Sequence, residues 1–215
     1  MFRYLYPQIK KADSFPILMC ALIGALIAGI YGIVHDQITF TIAPEYFTKL
    51  KFRQFHYADF GLGDRVFVAT IGFLATWWLG LFIGWFFGRR FIPDQTRRSA
   101  IKNLVKAILV VCISGLVFSI GGYIYGYMIE PTPDLNDWSN LLKSISVNDG
   151  LVFVRVIYIH NASYAGALFG VICAFIFVKP EIIPKNPAEK PTQADQAMPV
   201  LAKHSGKTLP GQTLR

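Results

Sequence analysis

The chain has 215 residues, 53% of them hydrophobic and 16% charged, with a net charge of +8. Soluble domains average about a quarter charged residues, so this balance excludes an ordinary water-soluble globule and points to a bilayer. The positive charge does not indicate nucleic acid. The basic residues fall between apolar runs and at the chain ends, where topology signals sit in membrane proteins.

Residues 1–15 carry Arg3, Lys10 and Lys11 against Asp13 and read as a basic cytoplasmic N-terminus. The first apolar run, 16–34, contains no charge and approaches the roughly 20 residues needed to cross the hydrocarbon core. A cleaved signal peptide is the competing reading. The run exceeds the roughly 7–15 apolar residues typical of one, and no small-x-small site follows it, so an uncleaved helix is expected. A second span covers 66–88, with Asp64 as N-cap after the Gly61-Leu62-Gly63 turn. The third and fourth cover 104–128 and 156–178. The expected fold is all-α: a four-helix transmembrane bundle over 16–178.

Flanking charges orient it. Residues 89–103 hold Arg89, Arg90, Arg97, Arg98 and Lys102 against Asp94. Residues 129–155 hold Glu130, Asp134, Asp137 and Asp149 against Lys143 and Arg155. The positive-inside rule puts the first segment in the cytoplasm and the second outside, with both termini inside. In the first outer loop Pro44 and Glu45 suit a helix start. Tyr46, Phe47, Leu50 and Phe55 then make an apolar face opposite Lys49, Lys51 and Arg53. A short interfacial helix is expected there, with an irregular aromatic loop as the alternative. The tail, 179–215, has six prolines and no aromatic residue, a composition expected to stay disordered in the cytoplasm.

Small residues recur every fourth position in each span: Ala25 and Gly29, Ala28 and Gly32; Gly80, Gly84 and Gly88; Gly115 and Ser119, Gly122 and Gly126; Ala162, Gly166, Gly170 and Ala174. Such stripes let helix backbones approach closely in lipid. Packing within the bundle accounts for them; a homo-oligomer or a membrane partner using the same faces is the alternative. Cys20, Cys112 and Cys173 lie in three different apolar runs and behave as small hydrophobes. Trp77 and Trp78 fall mid-span and are expected in the bundle core.

The polar residues carry the functional signal. His35 lies 19 residues beyond Pro16 and His160 19 residues before Lys179, so both sit roughly 28 Å above the cytoplasmic end. Each has a tyrosine on its own face one turn deeper, Tyr31 and Tyr164. His35, Asp36, His160 and Asn161 are therefore expected to converge at the outer edge, with Glu45 folding back over them. Ionisable residues at such depths are functional candidates by default. Three chemistries fit. His35, Asp36, Glu45 and His160 can ligate a divalent transition metal; the two histidines can ligate haem, less favoured with a single pair; or the cluster can pass protons. The bland alternative is that these groups cap helix ends. His56-Tyr57-Ala58-Asp59 has ligand-like spacing but lies in a loop. No phosphate-binding glycine loop, G-x-S-x-G, H-E-x-x-H or Cys-x-x-Cys is present.

Three motifs together resemble a known family: Tyr31-Gly-Ile-Val-His-Asp-Gln-Ile-Thr39, Glu45-Tyr-Phe-Thr48 and Ala75-Thr-Trp-Trp-Leu-Gly80. The chain is similar to uncharacterised bacterial integral membrane proteins with this pattern, and His160-Asn-Ala-Ser-Tyr164 extends the likeness. The resemblance implies a multi-pass protein of the bacterial cytoplasmic membrane and supplies no activity. Two functional classes follow. One is a non-enzymatic accessory or small transport-like component with a polar cluster at its outer edge. The other is a metal-dependent membrane enzyme using that cluster as ligands or acid–base groups.

Overall fold

The computed structural model describes residues 9–129 and 136–180, so all but the start of the Pro-rich tail lies outside the described residues. Every regular element among the described residues is helical: α1 (Lys11–Ile42), a π-helical segment (Tyr46–Lys51) running into the single turn α2 (Phe52–Gln54), a 3₁₀ turn (His56–Ala58), α3 (Asp64–Phe91), a second 3₁₀ turn (Ile92–Asp94), α4 (Arg97–Ile129), α5 (Asn136–Ser144) and α6 (Gly150–Phe177). Helices α1, α3, α4 and α6 are each long and apolar enough to cross a membrane. Their outward faces suit lipid: along α1, Leu18, Leu22, Leu26, Ile30, Val34 and Ile38 are all exposed at four-residue spacing.

Helix α1 pairs with α3 and α4 with α6. The α1–α3 seam shows why. A Cβ added at Gly80 would collide with the Gly24 carbonyl and the Ala28 methyl, and one at Gly32 would collide with the Gly72 carbonyl. The two backbones touch, as lipid-embedded helices do where small residues line up. Thr76 reinforces the seam, its hydroxyl 2.8 Å from both the Ala28 and Gly72 carbonyl oxygens. The seam therefore runs through Gly24 and Gly72 as well as the glycines of the expected stripes.

Helix α1 continues eight residues past the expected end of the first span, to Ile42. Polar residues sustain the extra turns: Thr39 and Thr41 donate to the carbonyls of His35 and Gln37, four residues back. Arg65, at the start of α3, donates to the Gln37 carbonyl and reaches Thr41. His35 and Asp36 are thus mid-helix groups, which removes helix capping as their explanation. Asp64 proves to be in the first turn of α3, with Gly63 (φ 90°) as the N-cap. Asp149 caps α6, its carboxylate accepting from the Val152 N–H at 3.1 Å.

Two apolar clusters stack along the bundle. The lower one gathers Ile17, Phe87, Phe91, Leu104 and Ala174 near the Arg-rich α3–α4 turn. The upper one gathers Phe40, Tyr46, Phe47, Leu142, Phe153 and Val156 beneath the loops. The expected aromatic face of the outer loop is therefore divided, with Tyr46 and Phe47 buried against α1 and α6. Helix α5 was not legible as a separate element in the acidic 129–155 segment; its Trp138, Leu141 and Leu142 join the upper cluster. Trp77 and Trp78 are exposed on the outer face of α3 rather than packed in the core, and Trp78 Nε1 donates back to the Ala75 carbonyl.

Candidate metal centre

Between the two apolar clusters lies a polar band, and its centre is Asp36. The carboxylate is buried and receives an imidazole from each side. His35 Nδ1 and His160 Nε2 both lie 3.2 Å from Asp36 Oδ1. The imidazole rings meet edge to face with centroids 4.8 Å apart, so His35 of α1 and His160 of α6 face each other at one level of the bundle. Neighbouring rings hold them: Tyr31 stacks on His35 at 5.9 Å, and Tyr46 lies 4.8 Å from His160. Tyr31 OH is 3.2 Å from Ser163 Oγ, tying α1 to α6 one turn below.

The hydrogen-bond partners favour one arrangement of the protons. His160 Nδ1 is 2.9 Å from the Val156 carbonyl. A carbonyl only accepts, so Nδ1 carries the hydrogen and a neutral ring presents a lone pair at Nε2. Ser119 donates its hydroxyl hydrogen to the Gly115 carbonyl at 2.8 Å. Its oxygen is then the acceptor for His35 Nε2 at 3.5 Å, which leaves the lone pair of a neutral His35 at Nδ1. Both lone pairs face the Asp36 oxygen. Three acceptors crowded together need a positive charge among them, either a proton or a metal ion.

The geometry suits a metal. One ligand atom from each of His35, Asp36 and His160 can be chosen so that none is more than 4.8 Å from another. Ligands about 2.0–2.2 Å from a tetrahedral ion lie roughly 3.3–3.6 Å apart, close to the two observed separations. Haem does not fit, because both imidazoles close on one carboxylate oxygen and leave no slot for a macrocycle between them.

Two expected members are elsewhere. Glu45 does not fold over the histidines. Its carboxylate accepts from the backbone N–H groups of Asn148 and Asp149, each at 3.0 Å, and from Asn148 Nδ2 at 2.8 Å. Those donors, first the Asp149 N–H, hold its carboxyl below the ordinary carboxylate value. Glu45 thus clamps the π-helical segment to the start of α6. Asn161 is exposed on the far side of α6, in a groove with Phe118, Gly121 and Tyr125. It shares no face with its neighbour His160, since adjacent helical residues point about 100° apart. The His56–Asp59 pair is also not a site: His56 Nδ1 donates to the Arg53 carbonyl, and Asp59 accepts from the Gly61 N–H.

The Glu45 clamp gives a first prediction. A carboxylate whose folded pKa is depressed stabilises the protein above its ordinary value of 4.5, and this contribution is lost as pH falls through the lower folded value. Glu45→Ala should cost about 1 kcal/mol near neutral pH. Thermal unfolding in detergent should show that difference shrinking below about pH 4.5. A pH-independent difference would contradict the clamp.

Sequence reading missed Lys51, which it placed on the solvent side with Lys49. In a π-helix the turn is wider and bonds run i to i+5. Residues 46 and 51 therefore share a face, and Lys51 Nζ lies 5.6 Å from the Tyr46 ring centroid. Lys51 lines a small chamber with His35, Asp36, His160, Thr76 and Tyr164. Burial pushes its ammonium below the ordinary lysine value, while Asp36 pulls the other way. On the opposite side a cavity of about 320 Å³ opens between the exposed residues Val34 and Ile38 of α1 and Leu116 and Ile120 of α4. No protein-family model, no curated protein and no solved structure matches this chain.

Proposed function

We propose that this chain is a multi-pass protein of the bacterial cytoplasmic membrane that holds one divalent transition-metal ion through His35 Nδ1, Asp36 Oδ1 and His160 Nε2. The single observation that carries the reading is the pair of imidazole nitrogens, one from α1 and one from α6, each 3.2 Å from the same buried carboxylate oxygen. Each ring has its other nitrogen directed to a protein acceptor, as metal-ligating histidines do. Two imidazoles and a carboxylate, without thiolate or thioether, favour zinc, iron(II) or manganese over copper(I). Three protein ligands with one position left open is the pattern of catalytic rather than structural sites. The bound ion would act as a Lewis acid or activate a water. This favours a metal-dependent membrane enzyme over a transport-like component, whose binding site would be expected at broken helices near the midplane. The four long helices here are continuous.

The second reading keeps the same lone pairs and fills the gap with a proton, making an imidazolium–carboxylate relay. Elemental analysis of the purified full-length protein separates the two. The metal reading expects close to one zinc, iron or manganese per chain, retained through gel filtration. A metal-free protein that takes up none on reconstitution would leave the proton reading in place.

We also propose that both termini are cytoplasmic and that the metal centre lies towards the outer face, on the strength of Arg89, Arg90, Arg97 and Arg98 at the α3–α4 turn. A reporter fused after Arg215 should be active only in its cytoplasmic form. Activity of a periplasmic reporter there would invert the topology.

A further inference from the structure

The open coordination position has two cavities beside it, and they differ in what they can offer an ion. The larger one, about 320 Å³, includes His35 but neither Asp36 nor His160 in its wall. The smaller one, about 20 Å³, is lined by all three candidate ligands. An ion bound by the three therefore faces the small chamber. A space of that size holds about one water molecule, which excludes a bulky organic group as the fourth ligand.

The lining of the chamber sets the charge of its occupant. Among the described residues, Lys51 is the only lysine or arginine in its wall, and it arrives from outside the transmembrane helices. It is delivered by the π-helical turn, a local geometry that recurs at functional sites. The Glu45 clamp on one end of that turn and the Tyr46 and Phe47 rings packed under it fix where Lys51 enters. A divalent ion with one carboxylate ligand keeps a net positive charge, and Lys51 adds a second positive charge across the chamber. With Asp36 committed to the ion, two positive charges are left uncompensated, and a monoanion in the chamber would offset one of them.

We propose that the chamber is a binding site for one small anion, hydroxide or a diatomic anion, bridging the metal ion and the Lys51 ammonium. The inference rests on the metal reading above and deepens it. A bound ion would supply its chemistry there only to a water-derived oxygen or a substrate of comparable size. The hydrocarbon chain of a lipid would meet only the larger cavity between α1 and α4.

The test uses the full-length protein in detergent, loaded with Co(II) and followed by its visible absorption. Cyanide should shift the spectrum saturably, and thiocyanate, which is longer, should bind at least about tenfold more weakly. Lys51→Met should weaken cyanide by about tenfold or more while Co(II) uptake and thermal stability stay near wild type; Lys51→Arg should restore most of the affinity. Cyanide binding to Lys51→Met as tightly as to wild type would overturn the inference and leave the metal reading intact. Equal affinity for cyanide and thiocyanate would also overturn it. Failure of the wild type to take up Co(II) would defeat the metal reading itself and this inference with it.

Discussion

Replacing His160 with alanine should weaken Zn(II) binding by at least about 100-fold, measured by competition with a chromophoric chelator. Changes in outer-shell partners of metal-binding histidines typically cost 10–100-fold, and loss of a direct ligand should cost at least the upper value. Nothing nearby replaces it. Asn161, the adjacent side chain, points to a separate groove, and Glu45, the carboxylate nearest Asp36 in sequence, is held by Asn148 and Asp149. Asn161→Ala should therefore bind Zn(II) as wild type does, although it differs by one position. Tyr31→Phe removes the hydroxyl's contacts with Ser163 and Ser119 but no ligand atom, and should stay within about tenfold. Equal losses in the His160 and Asn161 variants would point to general disruption of α6, and unchanged binding in His160→Ala would exclude it as a ligand.

The second large effect is mechanical. Gly80→Val should destabilise the protein by about 3 kcal/mol or more, because overpacking typically costs 1–3 kcal/mol even where side chains can shift. Here the added atoms meet the Gly24 carbonyl and the Ala28 methyl on α1, so backbone must move. Separating α1 from α3 also breaks the Thr76 contact to Ala28. Gly80 lies eight residues, about two turns, beyond Gly72 on α3, and no candidate ligand is among the atoms an added Cβ would meet. Thermal unfolding in detergent should show a large downward shift, whereas Gly121→Val, where an added Cβ meets nothing within 4 Å, should unfold near wild type. A Gly80→Val protein as stable as wild type would show that the α1–α3 seam does not depend on backbone contact.

Much of this was legible in the sequence because membrane spans are written in long apolar runs. The four helices were readable, and so was the pairing of His35 with His160. Two segments spaced alike from the basic end place their histidines at one depth whatever the details of packing. Helix ends were less legible. Thr39 and Thr41 extend α1 by bonding their own helix backbone, which composition alone does not reveal. The mistakes concern side-chain direction. Glu45 looked like a ligand by charge and proximity, but the N-terminus of α6 offered it three N–H donors. Lys51 looked solvent-facing at 3.6 residues per turn, and only the wider π turn brings it under Tyr46. Ser119 read as a small packing residue, yet its hydroxyl lies 3.5 Å from His35 Nε2 while bonded to the Gly115 carbonyl. Trp77 and Trp78 read as core because they lie mid-span, but the glycine seam had already claimed the inward face of α3.

The central claim is that two imidazoles and one carboxylate share a metal ion. X-ray absorption at the metal edge of the zinc-loaded, full-length protein tests it directly. The expected spectrum shows only nitrogen and oxygen neighbours at about 2.0–2.2 Å, with the outer-shell scattering of two imidazole rings. In the His35→Ala variant one imidazole contribution should disappear. A sulfur shell near 2.3 Å, or a wild-type spectrum without imidazole scattering, would contradict the site.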